Sequence, residues 1–187
     1  VRVIAGKFRS RRLSGPGLLR LRPTSDRLRE TLFNIIGPAI EDSFFVDLYA
    51  GTGAIGIEAV SRGAREVILV ESHVKSARLI RKNLASLEIR AGAELIESDV
   101  LAGLEKLTSR RLVADFIFLD PPYEDVEEQK STLEFLDGSR LIAPQGIVIV
   151  EHGRRTELPE RLERLERTRA LEQGDAVLSF YRLAAAA

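Results

Sequence analysis

Cysteine is absent from this chain, which rules out a disulfide framework and any thiolate metal site. Long hydrophobic runs are absent too. No stretch approaches the length needed to span a bilayer, which argues against a transmembrane helix. Net charge is nil, with 28 Lys and Arg against 28 Asp and Glu. The first residues, Val1 to Lys7, lack the apolar core of a signal peptide, so the cytoplasm is the expected compartment. No internal repeat or low-complexity segment precedes the closing alanines, Ala184 to Ala187, which read as a tail or expression scar outside the fold. What remains is 187 residues, enough for one domain with a full core and a small appendage.

The zero net charge conceals an uneven distribution. Residues 1–30 hold nine basic side chains (Arg2, Lys7, Arg9, Arg11, Arg12, Arg20, Arg22, Arg27 and Arg29) against two acids, Asp26 and Glu30, a net of +7. The other 157 residues hold 19 basic and 26 acidic groups, a net of −7. A basic end on an acidic body points to a polyanionic partner, and a solvated charged face is the plainer alternative.

Residues 1–13 alternate weakly and predict a short β-ribbon over Val1 to Phe8, turning near Arg9-Ser10-Arg11. Ser14-Gly15-Pro16-Gly17 is a loop. Arg22-Pro23-Thr24-Ser25-Asp26 marks a helix start, and Leu28, Leu32, Ile35 and Ile36 form its apolar stripe. Arg22, Arg27 and Arg29 are left for another surface, and Gly37-Pro38 stops the helix.

A regular alternation follows. Strands are predicted at Phe44 to Leu48, Glu66 to Glu71, Ala93 to Ile96, Ala114 to Leu119 and Gly146 to Glu151. The intervening helices include one capped by Ser72, one around Leu101 and Leu104, and one from Val126 to Leu136. This order predicts a parallel α/β sheet. Propensity makes Leu158 to Glu172 a helix. Gly174-Asp175 reads as a turn and Ala176 to Leu183 as a last strand.

Two stretches carry chemistry. The first is the run from Phe44 to Ala59: an apolar strand interrupted by Asp47, a turn Gly51-x-Gly53-x-x-Gly56, then a helix. Glycines there let the backbone approach a ligand, and Glu71 lies where a ribose-binding acid is expected. The pattern leaves a dehydrogenase and an S-adenosylmethionine (SAM) enzyme both open, beside a ligand-free tight turn. The second is Asp120-Pro121-Pro122-Tyr123, directly after a buried strand and so at the carboxyl edge of the sheet. Two prolines fix the backbone and remove two N–H donors. Carbonyls and a carboxylate remain to take the hydrogens of a planar amine, and Tyr123 offers a flat face to stack on it.

Asp120 to Tyr123 resembles the [Asn/Asp]-Pro-Pro-aromatic motif of SAM-dependent methyltransferases acting on exocyclic or amide nitrogens. Together with Arg2-Val3-Ile4-Ala5-Gly6-Lys7, the segment from Arg22 to Asn34, and Asp47 to Gly56, the chain resembles the RsmD family of bacterial guanine-N2 methyltransferases of small-subunit ribosomal RNA. The resemblance runs from Arg2 to Leu183. It implies a class I SAM-dependent methyltransferase, an α/β Rossmann-like seven-stranded, mostly parallel sheet with an antiparallel C-terminal strand. Leu165 to Glu172 then becomes a strand, and the tail a hairpin. Residues 1–21 would be a basic β-ribbon extension and 22–183 the methyltransferase domain.

The same resemblance implies site residues. SAM would lie over Ala50, Gly51, Thr52 and Gly53. Glu71, with Ser72 beside it, would bind the ribose hydroxyls, and Asp99 and Val100 would address the adenine. Asp47 would act near the methionine end or through the loop backbone. Asp120, Pro121, Pro122 and Tyr123 would form the catalytic corner, with the target base unpaired or flipped out. Lys7, Arg9, Arg12, Arg22, Thr24 and Arg27 would hold 16S ribosomal RNA, within the small subunit or its assembly intermediate. The protein is expected to be a monomer. His73 and His152 have no partner at metal-ligand spacing and read as structural or solvated, so no metal is expected.

Three rivals stay open. One is methylation of adenine N6, cytosine N4 or a protein glutamine amide through the same motif. Another is an NAD-dependent oxidoreductase, which leaves Asp120 to Tyr123 unexplained. The third is a non-catalytic RNA-binding assembly factor.

Overall fold

The computed structural model describes residues 1–15, 25–121 and 125–185. They fall into two compact units, Val1–Asp99 and Val100–Ala187.

In the first unit, β1 (Phe44–Leu48) and β2 (Glu66–Glu71) are apolar runs short enough to be strands and buried on both faces, as parallel strands must be. They pair in parallel, with Asp47 opposite Leu69. β2 pairs in parallel with β3 (Ala93–Glu97) on its other side. Helix α1 (Asp26–Ile36) starts where Ser25 caps it, its hydroxyl accepting the Leu28 N–H at 3.1 Å, and stops at Gly37, whose φ is 58°. Its buried face is Leu28, Leu32, Phe33 and Ile36, joined by Arg29. Ile35, expected in the apolar stripe, is half-buried, and Phe33 stacks on Phe45 of β1 with ring centroids 6.1 Å apart. Burying such a ring contributes on the order of 3 kcal/mol.

Helix α2 (Ala54–Ser61) follows β1 through the glycine turn. A Cβ on Gly56 would stand 2.8 Å from Leu69 Cδ2, so this glycine lets α2 press against β2. Helix α3 (Val74–Ser86) buries Ser76, Ala77, Ile80 and Asn83. Its N-cap is His73, without a side-chain cap bond, rather than Ser72, and the Glu71 carboxylate at the end of β2 accepts the His73 N–H at 2.7 Å.

The expected N-terminal ribbon is reduced to one antiparallel bridge, Arg2 with Arg12. The reason is local. The N–H groups of Ile4 and Ala5 are taken by a side chain of α2, and Gly6 at φ 78° breaks the extended run. Val3 and Leu13 pack with Ala54, Ile57 and Leu87, so this segment is part of the first unit's core. The expected boundary at residue 21 lies outside the described residues.

The second unit holds α4 (Val100–Ser109), β4 (Ala114–Leu119), α5 (Val126–Gly138), β5 (Ile142–Gly153), β6 (Leu165–Gln173) and β7 (Ala176–Leu183). β4 and β5 are parallel, and β7 runs antiparallel to both β5 and β6. β5 begins at Ile142, four residues ahead of the expected start. The pairing shifts register between Ala114 and Phe116, near Gly146, whose added Cβ would lie 3.0 Å from the Ala114 carbonyl. β6 is a strand although its composition favours helix. The Asp137 carboxylate accepts the N–H groups of Arg164 and Leu165 at 2.8 and 2.7 Å, which fixes its first residue in extended form. Tertiary context here overrides propensity. Gly174, at φ 64°, turns β6 into β7. The seven strands lie in the order β3-β2-β1-β4-β5-β7-β6.

Candidate active site

The glycine turn is held open by two buried acids. Tyr49, Gly51 and Gly53 all have positive φ, at 64°, 56° and 77°. Gly53 is the N-cap of α2 and has no side chain to cap with. Asp47 on β1 supplies the missing acceptor, its Oδ2 taking the Gly56 N–H at 2.9 Å. Gly56 is the third helical residue, whose N–H a capping side chain ordinarily satisfies. Asp47 is thus bonded to the backbone that opens α2. Burial pushes its carboxyl up to about 7; the Gly56 N–H opposes that shift and the charge of Glu71 adds to it.

Glu71, at the end of β2, is 8% exposed and spans the turn. Its Oε2 accepts the Gly51 N–H and its Oε1 the His73 N–H, both at 2.7 Å. A carboxylate offers about four lone-pair sites, so about two remain for hydroxyl donors. Beside it, a Cβ on Gly51 would find its nearest neighbour, the Tyr49 carbonyl, at 3.9 Å. The backbone is open to a ligand on that side. Ala50 and Thr52 are buried within the turn, and the Ala50 N–H donates to the Val70 carbonyl at 2.9 Å. The structure thus gathers Asp47, Ala50, Gly51, Thr52, Gly53 and Glu71. Ser72 and Asp99 are exposed, and Val100 is a buried residue opening α4.

Sequence reasoning missed a second construction on the same unit. Glu58 of α2 is 0% exposed. Its two oxygens accept the N–H groups of Ile4 and Ala5 at 2.8 and 3.0 Å, and Oε1 also takes Arg62 Nε at 2.7 Å. Ser61 accepts the Phe8 N–H at 2.9 Å through its hydroxyl and the Lys7 N–H at 2.7 Å through its carbonyl. Between them sits Gly6, where a Cβ would stand 1.8 Å from the Ser61 carbonyl oxygen. Only glycine fits. Arg29, expected on an outer surface with Arg22 and Arg27, is instead 0% exposed. It shares the α1 face of Phe33 and Ile36, and Nη2 donates to the Arg2 carbonyl and to Asp26 Oδ1. Its Nε lies 3.9 Å from Glu58. Burial lowers its pKa, and the charges of Glu58 and Asp26 offset part of that shift. A signal did exist for Glu58: it is the one acid in the apolar helix Ala54–Ser61.

Of the expected RNA contacts, Lys7, Arg9, Arg12 and Arg27 are exposed. Arg12 lines an open cleft of about 860 Å³ with Arg2, Ser10, Ser25 and Asp26. Arg22 and Thr24 lie outside the described residues. Asn83 of α3 links this segment to the glycine turn. Its amide exchanges hydrogen bonds with the Ser14 backbone at 2.8 and 3.2 Å and donates to the Thr52 carbonyl at 3.0 Å.

In the second unit, Asp120 is half-buried just past β4, and Pro121 is buried. Pro122 and Tyr123 lie outside the described residues. Asp125 caps α5 by accepting the Glu128 N–H at 3.1 Å, and Glu127 and Glu128 sit in its first turn, where the helix dipole favours acids. His152 is buried, with Nε2 2.8 Å from Ser179 Oγ and Nδ1 3.0 Å from the Gly153 carbonyl. Among the described residues no group of His, Asp and Glu could hold a metal ion, and no helix is long and apolar enough to cross a membrane.

A glycine turn braced by acids from the first two strands, in a seven-stranded sheet with β7 reversed, defines a Rossmann-like α/β protein of the methyltransferase type. A family model described as conserved hypothetical protein 95 matches residues 1–182. Ribosomal RNA small subunit methyltransferase D of Escherichia coli K12 is 37% identical over 154 residues, 81% of this chain and 74% of that protein. YlbH of Bacillus subtilis 168 is 34% identical over 97% of this chain and 98% of its own length. The solved structure of yhhF from Escherichia coli matches with a TM-score of 0.87 at 30% identity, covering 100% of this chain and 99% of that one. The chain belongs to the RsmD family.

Proposed function

We propose that the protein transfers a methyl group from SAM to the exocyclic N2 of a guanine in 16S ribosomal RNA of the small subunit. The observation that carries the reading is the acid-braced glycine turn in a chain that also places Asp120-Pro121 just past β4. Relatives in the same family bear the name of small-subunit ribosomal RNA methyltransferases.

The residues present fit SAM. Gly51 leaves its side open, and Glu71 keeps acceptor capacity for two ribose hydroxyls after bonding Gly51 and His73. Asp99 and Val100 would meet the adenine, and Ser72 the ribose edge. SAM bound there supplies a methyl group on a positively charged sulfur. Guanine N2 is a weak nucleophile because its lone pair is delocalised into the ring. The Asp120 carboxylate and the Pro121 carbonyl would accept its two N–H groups, which favours a pyramidal, more nucleophilic nitrogen. Asp120 would also take the proton that N2 sheds. Tyr123 would stack on the base, with Pro122 stiffening the corner. Lys7, Arg9, Arg12, Arg22, Thr24 and Arg27 would hold the RNA backbone.

The test is transfer of labelled methyl from SAM to small ribosomal subunits, with the product nucleotide mapped by mass spectrometry. One N2-methylguanine is expected. Label on adenine, on cytosine or on protein would overturn the assignment, as would no transfer at all.

A further inference from the structure

We propose that the outward face of α3 is a second part of the RNA-binding surface, contacting phosphates through Lys75, Arg78 and Lys82. This rests on the reading above and extends it to residues of a different element.

The helix buries Ser76, Ala77, Ile80 and Asn83. At 100° per residue the opposite face carries Lys75, Arg78 and Lys82, and all three are exposed. Seven residue steps separate the first from the last, about 10 Å along the axis. The helix has four basic residues and no acid. Its remaining cation, Arg81, is paired with Glu97. Among the described residues none of the other three has an acidic partner within ion-pair distance.

A merely solvated helix has no reason for this pattern. Lys75 with Arg78, and Arg78 with Lys82, are like charges at i,i+3 and i,i+4, which weaken a helix. Lys75 also sits in the first turn, against the helix dipole. Helix α5 shows the ordinary alternative, with acids in its first turn and Glu127 paired to Lys130. The cost on α3 makes sense if a polyanion neutralises the face.

The N-terminal segment is anchored to the same helix. Arg11 Nη2 donates to the Ser86 carbonyl at 3.1 Å, which sets a cation at the carboxyl end of α3. The Ser14–Asn83 pair fixes the same segment one turn earlier. Arg9, Arg11 and Arg12 are exposed beside it. The arm is thus held by hydrogen bonds to the carboxyl-terminal turns of the basic helix, and Asn83, on the buried face of that helix, links it to the glycine turn through Thr52.

The experiment compares the wild type, the double variant Arg78→Gln/Lys82→Gln, and the control Arg155→Gln, which removes an exposed cation of the second unit. Binding to 16S ribosomal RNA is measured across a salt series, and methyl transfer to small subunits is followed alongside. Each lost phosphate contact lowers the log–log salt slope by about 0.7 to 0.9. The double variant should lose about 1 to 2 units of slope and about tenfold in affinity at low salt. KM for RNA should rise with kcat and SAM affinity unchanged, Tm should hold or rise slightly because a like-charge pair is removed, and the control should match the wild type. An unchanged slope in the double variant, or an equal fall in the control, overturns the proposal while the methyltransferase reading stands. A wild type that transfers no methyl to RNA removes that reading, and this proposal falls with it.

Discussion

The two units use their acids differently. In the first, Asp47, Glu58 and Glu71 are buried, and all three accept backbone N–H groups: Gly56, Ile4 with Ala5, and Gly51 with His73. In the second, Asp137 does the same for Arg164 and Leu165, but Asp120 stands half-exposed at a strand end, followed by the buried Pro121. A buried acid on backbone donors fixes the shape of a loop. An acid at an accessible rim can meet a substrate. Function on this reading divides between a holder built by hydrogen bonds and a reactive corner built by covalent rigidity.

The sharpest way to break that contrast is Asp120→Ala. If the rim acid does chemistry, methyl transfer should fall by about 10³-fold, within the range for loss of a positioned acid–base group. Isothermal titration of SAM should stay within about twofold of wild type, and Tm should hold. Lost SAM binding would move Asp120 to the cofactor side.

The reverse holds for Glu58→Gln. Here stability should suffer first, because Arg29 keeps its buried charge and loses its largest opposing one. Removing one partner of a buried pair costs about 3 to 5 kcal/mol. Urea unfolding should show that loss. At a temperature where the variant stays folded, KM for RNA should rise while SAM affinity holds, since Lys7 hangs from the segment that Glu58 clamps. A variant as stable as wild type would mean that the N-terminal segment is only laid on α2.

The sequence makes one kind of information plain and hides another. β1, β2, β4 and β7 are legible because each is an apolar run buried on both faces and bounded by turn residues. The glycine turn and Glu71 are legible because local spacing dictates them. β6 is legible only through the family resemblance, which makes Leu165 to Glu172 a strand; propensity misses it, because an edge strand of Arg and Glu has helical composition and the carboxylate that fixes its start lies 28 residues away. Arg29 is hidden for the same reason: its compensation comes from Arg2, Asp26 and Glu58, of which only Asp26 is local. The N-terminal ribbon is over-read, since alternation cannot reveal that Ile4 and Ala5 spend their donors on a side chain. At the proposed reactive corner the sequence speaks through a motif, and Pro122 and Tyr123 rest on that motif alone.

The smallest effect tests whether the braces are electrostatically strained, and the two units then pull in opposite directions. Asp47 has its pKa raised to about 7 by burial, so the folded state prefers the neutral acid. Its contribution is complete below the unfolded value of 3.8 and is lost as pH rises through about 7. His152 has its pKa lowered by burial first, with the Arg167 charge adding to the shift and the Gly153 carbonyl opposing it. Its contribution is complete above the unfolded value of 6.5 and is lost as pH falls below that value. Asp47→Asn isolates the first effect, because the amide oxygen can still accept the Gly56 N–H and carries no charge. Between about pH 5 and about pH 7, the wild type should lose on the order of 2 kcal/mol relative to this variant. Urea melts of both proteins at the two pH values measure that gap, and His152 cancels because it is common to both. Parallel pH profiles would mean that Asp47 ionises without penalty and that its brace on α2 is a charged one.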